Sequence, residues 1–272
     1  MSDFLKEMAI KSKARAKFLP EKYQSKKYDL PSFDIRFSDF DIIAEYKMNS
    51  PAEGLLAEPN INRVDRVLSY AHGGAAAISV LTEPSRFDGS LLHLKEIAST
   101  VSNLSLPVMR KDFLVDHRQI LESKVFGASG ILLIVALFDA SKLRSMLDCA
   151  FAHSLFVLLE SFNEEDVIKS NSLLKESRYQ TLAEQKKLLF GVNTRNLKTL
   201  EVDVNRLKVL GKELPYGLIS VAESGLYNIE DILTAKNNGY SMALIGTALM
   251  RSKRPEKLIR ELLQSARKKE FS

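Results

Sequence analysis

Apolar and polar positions recur along this chain with two periods. From Ile42 to Lys47 every second residue shares a face, so Ile43, Glu45 and Lys47 point one way and Ala44 and Tyr46 the other, the pattern of a strand. Beyond Lys47 come Asn49, Ser50, Pro51 and Gly54, which are loop formers. The strand therefore ends on a carboxylate and an ammonium facing the same side. Seven further β-rich runs centre on Ile78, Val108, Leu132, Val157, Phe190, Ile219 and Leu244, between about 24 and 35 residues apart. Helical spacing of apolar residues fills the intervals: Asn60–Ala71, Ser90–Val101, Asp116–Phe126, Asp139–Ala152, Asn163 to about Lys187, Asp203–Leu210, Ile229–Asn238 and Pro255–Ala266. Several of these begin at Asn, Ser or Asp, whose side chains accept from the free N–H groups of a first turn.

Strands alternating with helices call for a parallel sheet with crossover helices, and eight such units close into an α/β fold, a (β/α)8 TIM barrel. An open doubly wound sheet is the alternative, but no Gly-x-Gly-x-x-Gly follows the first strand. Ahead of the barrel, Phe4, Leu5, Met8 and Ala9 mark an extra amphipathic N-terminal helix over Asp3–Lys17, ended by Pro20. A polar connector through Tyr28 and Pro31 leads to the first strand. The expected organisation is a helix and connector over residues 1–40, packed on a catalytic barrel over residues 41–272.

Composition narrows the function. The 272 residues are 45% hydrophobic, enough for one large core, with a formal charge of +5. Basic residues are scattered rather than blocked, so nothing supports nucleic-acid binding, whereas an anionic small substrate suits the balance. The lone cysteine, Cys149, sits among Met146, Leu147, Ala150 and Phe151 and reads as a buried helix residue; it allows no intramolecular disulfide and no Cys/His zinc spacing. Gly130–Phe138, the longest apolar run, is too short for a bilayer, and the N-terminus lacks a signal peptide's hydrophobic region. A cytoplasmic protein without membrane contact is expected.

Polar residues where the strands stop carry the candidate chemistry: Glu45 and Lys47, Lys111, Glu160, Asn193, Glu223 with Ser224, and Gly246 with Thr247. Each alone has a structural explanation, such as an ion pair at a strand end, a solvated cluster around Arg110-Lys111-Asp112 or a helix cap at Glu160. Six of eight strands ending this way point to an active site at the barrel mouth. Ser224-Gly225 and Gly246-Thr247 end the last two strands, the usual phosphate site of this fold, where glycine lets backbone N–H groups approach an anion.

At these residues the chain resembles the indole-3-glycerol phosphate synthase family, the barrel enzymes of tryptophan biosynthesis. The resemblance runs from about Ile42 to Met250 through Ile43-Ala44-Glu45-Tyr46-Lys47 with Ser50-Pro51, Ser79-Val80-Leu81-Thr82-Glu83-Pro84, Pro107-Val108-Met109-Arg110-Lys111-Asp112-Phe113, Asn193-Thr194-Arg195-Asn196-Leu197 and Val221-Ala222-Glu223-Ser224-Gly225. It implies closure of 1-(2-carboxyphenylamino)-1-deoxyribulose 5-phosphate to indole-3-glycerol phosphate with loss of CO2 and water. Lys111 is then the general acid, Glu160 the acid/base carboxylate and Lys47 a substrate contact that assists proton transfer. Glu45 and Glu223 hold the lysines charged, and Asn193 and Arg195 address the anthranilate part. Ser50 and Phe113 join the substrate-binding set, and Ser224, Gly225, Gly246 and Thr247 hold the phosphate. No cofactor or metal is expected, because rearomatisation on loss of CO2 drives the reaction; docking to other enzymes of the pathway is left open.

The chain departs from the family in three places. Ala52 and Glu53 stand where the loop commonly carries Ser and Lys, Ser161-Phe162 follow Glu160, and the stretch to Asn193 is longer, implying a longer outer helix or loop over Leu173 to Lys187. Glu53 is expected on an exposed loop, repelling an anionic substrate through water; the rival placement pairs it with Lys11 or Arg15 of the N-terminal helix. Competing functions are a phosphoribosylanthranilate isomerase-like barrel, a Schiff-base aldolase using Lys47 or Lys111, and a noncatalytic phosphate-binding barrel.

Overall fold

The computed structural model describes residues 2–21, 23, 30–56, 61–197, 199 and 201–268. Its strands are β1 Asp41–Tyr46, β2 Ala77–Leu81, β3 Val108–Lys111, β4 Gly130–Ile134, β5 Phe156–Ser161, β6 Leu188–Asn193, β7 Ser220–Glu223 and β8 Met242–Ile245. Each pairs in parallel with the next, and β8 pairs with β1 through Asp41 opposite Met242, so the fold is a closed (β/α)8 TIM barrel. The strand expected around Ile219 starts one residue later, at Ser220.

Alternation sorts the core into two parts. Ile42, Ala44 and Tyr46 of β1 point outward with Ile78, Val80, Val157, Leu159 and Phe190, and they pack under the helices. Ile43 points inward with Met109, Leu132, Leu158, Leu189, Val221 and Leu244, filling the barrel. Gly130 makes room within that filling, since a Cβ there would lie 2.4 Å from the Phe156 ring. One residue of register slip would exchange the two sets and bury Glu45 and Lys111 under the helices, so the pattern itself specifies the register.

The first six helices are α1 Asp3–Ala16, α2 Arg63–Gly73, α3 Pro84–Phe87, α4 Leu91–Val101, α5 His117–Val125 and α6 Ala140–Ala152. They are followed by α7 Glu164–Ser172, α8 Ser177–Glu184, α9 Asn205–Gly211, α10 Ile229–Asn237, α11 Thr247–Arg251 and α12 Pro255–Arg267. Caps set most of their starts: Asn62 accepts from Val64 N at 2.9 Å, and Asp116 with Gln119 forms a capping box on α5. Asn60, the expected start of α2, and Tyr28 in the connector lie outside the described residues.

Two expectations need correction. The single helix expected from Asn163 to Lys187 is α7, a 3-10 turn at Leu173–Lys175, and α8. Buried Val167, Ser170 and Leu173 keep helical spacing, but the next buried residue is Tyr179, out of phase, and the chain breaks at extended Glu176 to bring its ring in. Cys149 lies in α6 as expected but is half-buried rather than buried.

Helix α1 buries Leu5, Met8, Ser12 and Ala16. Leu5 and Met8 join the same cluster as the barrel filling, alongside Phe113 and Phe162. A buried polar clasp fastens the helix. Arg15 donates to both oxygens of Asp112, at 3.0 and 2.7 Å, and Ser12 Oγ accepts from Gln119 at 2.8 Å.

Candidate active site

Interior positions at the C-terminal ends of the strands are where the filling changes from apolar to charged. Lys111, ending β3, places its Nζ 3.3 Å from Glu160 Oε1 of β5 and 3.4 Å from Glu223 Oε2 of β7. Asn193, ending β6, donates to Glu160 Oε1 at 2.5 Å and accepts the Arg195 N–H at 2.9 Å, which fixes its amide. Just past β1, Lys47 pairs with Glu45 at 3.0 Å. These side chains and Ser50, Phe113, Arg195, Ser224, Gly225, Gly246 and Thr247 all line one cavity that is partly open to solvent. Every site residue expected from the sequence is thus brought to the same place.

Burial and charge shift the titrations. Burial alone would lower the Lys111 pKa, but the carboxylates of Glu160, Glu223 and Glu45 outweigh it and hold the ammonium protonated, well above the ordinary lysine range. Glu223 is raised well above the ordinary carboxylate value, first by burial and then by repulsion from Glu160, with Lys111 only partly offsetting both. Its Oε1 is buried without a hydrogen-bond partner among the described residues, as is Glu45 Oε2. Two carboxylates with unpartnered buried oxygens beside the Lys111 ammonium make a cluster that stability alone would not favour.

Two glycines shape this layer, and one of them escaped the sequence reading. A Cβ on Gly191 of β6 would lie 2.3 Å from Glu223 Oε1, so glycine leaves that oxygen its space. Its only trace in the sequence is a Gly inside an apolar strand, a sign of close approach. A Cβ on Gly246 would lie 2.4 Å from Glu45 Oε1 and 2.9 Å from Lys47 Nζ. Gly246 therefore makes room for the β1 ion pair, besides ending β8.

The turn after β7 and the start of α11 form one corner of the cavity. Ser224 and Gly225 both have left-handed backbones, φ 70° and 72°, and Thr194 Oγ1 donates to the Ser224 carbonyl at 3.0 Å. Ser224 is the unusual one, because a side chain disfavours that region. Glu53 reaches into the same corner from the loop after β1. Its Oε1 accepts from Thr247 Oγ1 at 3.1 Å and from the Tyr227 hydroxyl at 3.3 Å, and its Oε2 pairs with Arg251 at 3.3 Å. Both earlier placements of Glu53 are thereby corrected. The loop is exposed as expected, at Pro51, Ala52, Gly54 and Leu55, but the Glu53 side chain turns in from it and is 16% exposed, and the proposed basic partners are taken, Lys11 by Glu7 and Arg15 by Asp112.

Opposite that corner the cavity is apolar. Phe113 packs edge-on to Phe4 of α1, centroids 6.0 Å apart, and lies 6.2 Å from Phe87 of α3. Sequence periodicity placed Phe4 on a helix face and left Phe87 and Tyr227 unremarked, because only the closed barrel brings α1, α3 and the β7 turn to one mouth. Asp112, next to Lys111, supports this roof. It is buried, yet Arg110 and Arg15 beside it, with a 2.7 Å hydrogen bond from Thr82, keep its carboxyl ionised well below the ordinary range. Among the described residues no cluster of three or more His, Cys, Asp or Glu is arranged to hold a metal ion.

Lysines and carboxylates gathered beside an apolar slot, all at the C-terminal ends of barrel strands, mark a (β/α)8 barrel enzyme. Residues 11–262 match the family described as indole-3-glycerol phosphate synthase. The chain belongs to that family, and it is a carboxy-lyase of tryptophan biosynthesis. The indole-3-glycerol phosphate synthase of Halalkalibacterium halodurans is 36% identical over 245 residues, 90% of this chain and 90% of its own length. That of Endomicrobium trichonymphae is 38% identical over 240 residues, 88% of this chain and 87% of its own. Among solved structures, a 3-hexulose-6-phosphate synthase superposes with a TM-score of 0.61 over 83% of this chain and 99% of its own, at 14% identity. Phosphoribosylanthranilate isomerase from Thermotoga maritima gives 0.55 over 84% and 98%, at 13% identity. At such identities the likeness is of fold alone, so the isomerase alternative gains nothing from it.

Proposed function

We propose that this cavity closes the indole ring of 1-(2-carboxyphenylamino)-1-deoxyribulose 5-phosphate, with the residues in the following roles. Lys111 donates a proton to the ketone oxygen as the ring carbon bearing the carboxylate attacks the carbonyl carbon. The new C–C bond interrupts aromaticity, and departure of CO2 returns its bond electrons to the ring. Glu160, oriented by Asn193, then takes the C–H proton whose electron pair becomes the new ring double bond. The hydroxyl leaves as water with a proton delivered through Lys47, giving indole-3-glycerol phosphate. Lys47, held by Glu45, contacts the substrate and assists proton transfer. Arg195 grips the anthranilate carboxylate, while Ser224, Gly225, Gly246 and Thr247 take the phosphate. Phe113 and Ser50 border the ring and the sugar chain.

The observation that carries this reading is the contact of Lys111 with both Glu160 and Glu223, an acid kept protonated beside two bases inside one layer of the barrel. We further take residues 1–40 and 41–272 to act as one unit, α1 roofing the mouth. The partner is the small phosphorylated substrate, without nucleic acid or membrane, and the location is the cytoplasm. No helix among the described residues is long and apolar enough to cross a membrane.

The test is to supply the ribulose phosphate and follow indole fluorescence. Lys111→Met keeps the long stem and removes the proton, and general acid catalysis is worth roughly 10²- to 10⁴-fold. Turnover in that variant within about tenfold of wild type, with folding intact, would remove Lys111 from its role.

A further inference from the structure

Glu53 occupies a position that the catalytic reading leaves unexplained. Its carboxylate is surrounded by donors from separate segments: Thr247 at 3.1 Å, Tyr227 at 3.3 Å, Arg251 at 3.3 Å and the Arg195 guanidinium at 3.7 Å. Two hydroxyls and two guanidinium groups converging on one anion are what an oxyanion of a ligand requires. Thr247 and Arg195 both line the cavity, and Thr247 belongs to the corner assigned above to the phosphate. A carboxylate and a phosphate cannot share these donors, because both would need the same hydrogen-bond positions and two anions brought that close repel each other.

We propose that Glu53 is a tethered competitor, an internal anion that fills the phosphate corner of the empty enzyme and must leave before substrate is held. The proposal rests on the phosphate assignment made under Proposed function. The loop is built for such an exchange. Its hairpin pairs Asn49–Ser50 with Gly54–Leu55, and Asn49 is tied at 2.9 Å to Asp88, which follows α3 on the β2 side of β1. Glu53 makes the ties on the β8 side, and Gly54, with φ 69° and open space about its Cα, follows it directly. Releasing Glu53 therefore frees one side of the loop while Asn49 keeps the other. The arriving phosphate gives Thr247 a better acceptor, and departure of Glu53 opens the Arg195 guanidinium to the anthranilate carboxylate, so the internal tie is exchanged rather than lost.

Inorganic phosphate is the probe, measured by isothermal titration against wild type, Glu53→Gln and Glu53→Ala at low and high salt. If Glu53 fills the corner about nine-tenths of the time, the apparent Kd of wild type is raised about tenfold by the small competent fraction. Both variants are expected to bind phosphate about tenfold more tightly, and the gain survives high salt because the competition is for the same donors. A gain that vanishes at high salt reduces Glu53 to long-range repulsion and overturns the proposal. Unchanged or weaker phosphate binding in both variants also overturns it, since Glu53 would then belong to the closed, ligand-bound loop. Turnover of the ribulose phosphate is scored separately. Tighter phosphate binding without turnover would defeat the proposed reaction and leave the competitor standing, whereas turnover with unchanged phosphate binding would do the reverse.

Discussion

Gly191→Ala adds one methyl group at a point where fold and chemistry should respond differently. The new Cβ would lie 2.3 Å from Glu223 Oε1, and ordinary contact begins near 3.4 Å, so that oxygen must retreat by about 1 Å. It is the far end of a flexible side chain, so the fold yields easily there. The milder approaches to Leu158 Cδ1 at 3.0 Å and the Leu159 carbonyl at 3.3 Å ask for shifts of a few tenths of an ångström. The retreat carries Glu223 Oε2 away from Lys111, whose 3.4 Å contact is already long. With an effective dielectric constant of about 20, stretching that pair by about 1 Å loses on the order of 1 kcal/mol, close to one unit in the Lys111 pKa. The sign follows from the cause: Glu223 helps to raise that pKa, so moving it away lowers it and the acid is lost earlier as pH rises. A misplacement of about 1 Å is expected to lower kcat by roughly 10- to 100-fold, with the alkaline limb of the pH profile moved about one unit toward neutrality. Circular dichroism melting should show a small change beside that loss. A kcat within about threefold of wild type and an unmoved alkaline limb would refute the view that Glu223 positions and charges Lys111.

The same cluster predicts a stability effect of opposite sense. Glu223 has a folded pKa raised well above its ordinary 4.5, so between those two values the native state binds the extra proton and stability falls as pH rises. Glu223→Gln should therefore be catalytically impaired, yet melt higher than wild type at neutral pH, with the difference closing as pH drops below about 4.5. A lower melting temperature at neutral pH would show that its pairing with Lys111 outweighs its burial. Arg15→Ala leaves buried Asp112 with Arg110 and Thr82 but without its bidentate partner, and should destabilise by about 2 kcal/mol, a fall of about 4–8 °C in Tm. Because that clasp carries α1 and Phe4 over the mouth, KM should rise as well, and steady-state kinetics showing an unchanged KM would separate the roof from substrate binding.

Local pattern determined the barrel: period-two alternation, spaced helices and capping residues are short-range physics, and they placed eight strands and the ends from which Lys47, Lys111, Glu160, Asn193 and Glu223 project. Strand parity even put Glu45 and Lys47 on the interior face, because a side chain's direction follows from its neighbours two residues away. What depended on closure lay beyond that reach. Lys111 touches Glu223 across 112 positions, Gly191 matters only because β7 lies beside β6, and Phe4 meets Phe113 only after α1 folds back across the mouth. Glu53 illustrates the limit best. The sequence marked it as an unusual charge on a loop, but its partners Tyr227 and Thr247 lie 174 and 194 positions away, and a charge finds such neighbours only through the path of the whole chain. Composition and periodicity carry no information on that path beyond the strands themselves, so only the folded chain determines whether this carboxylate faces water or turns in among Thr247, Tyr227 and Arg251.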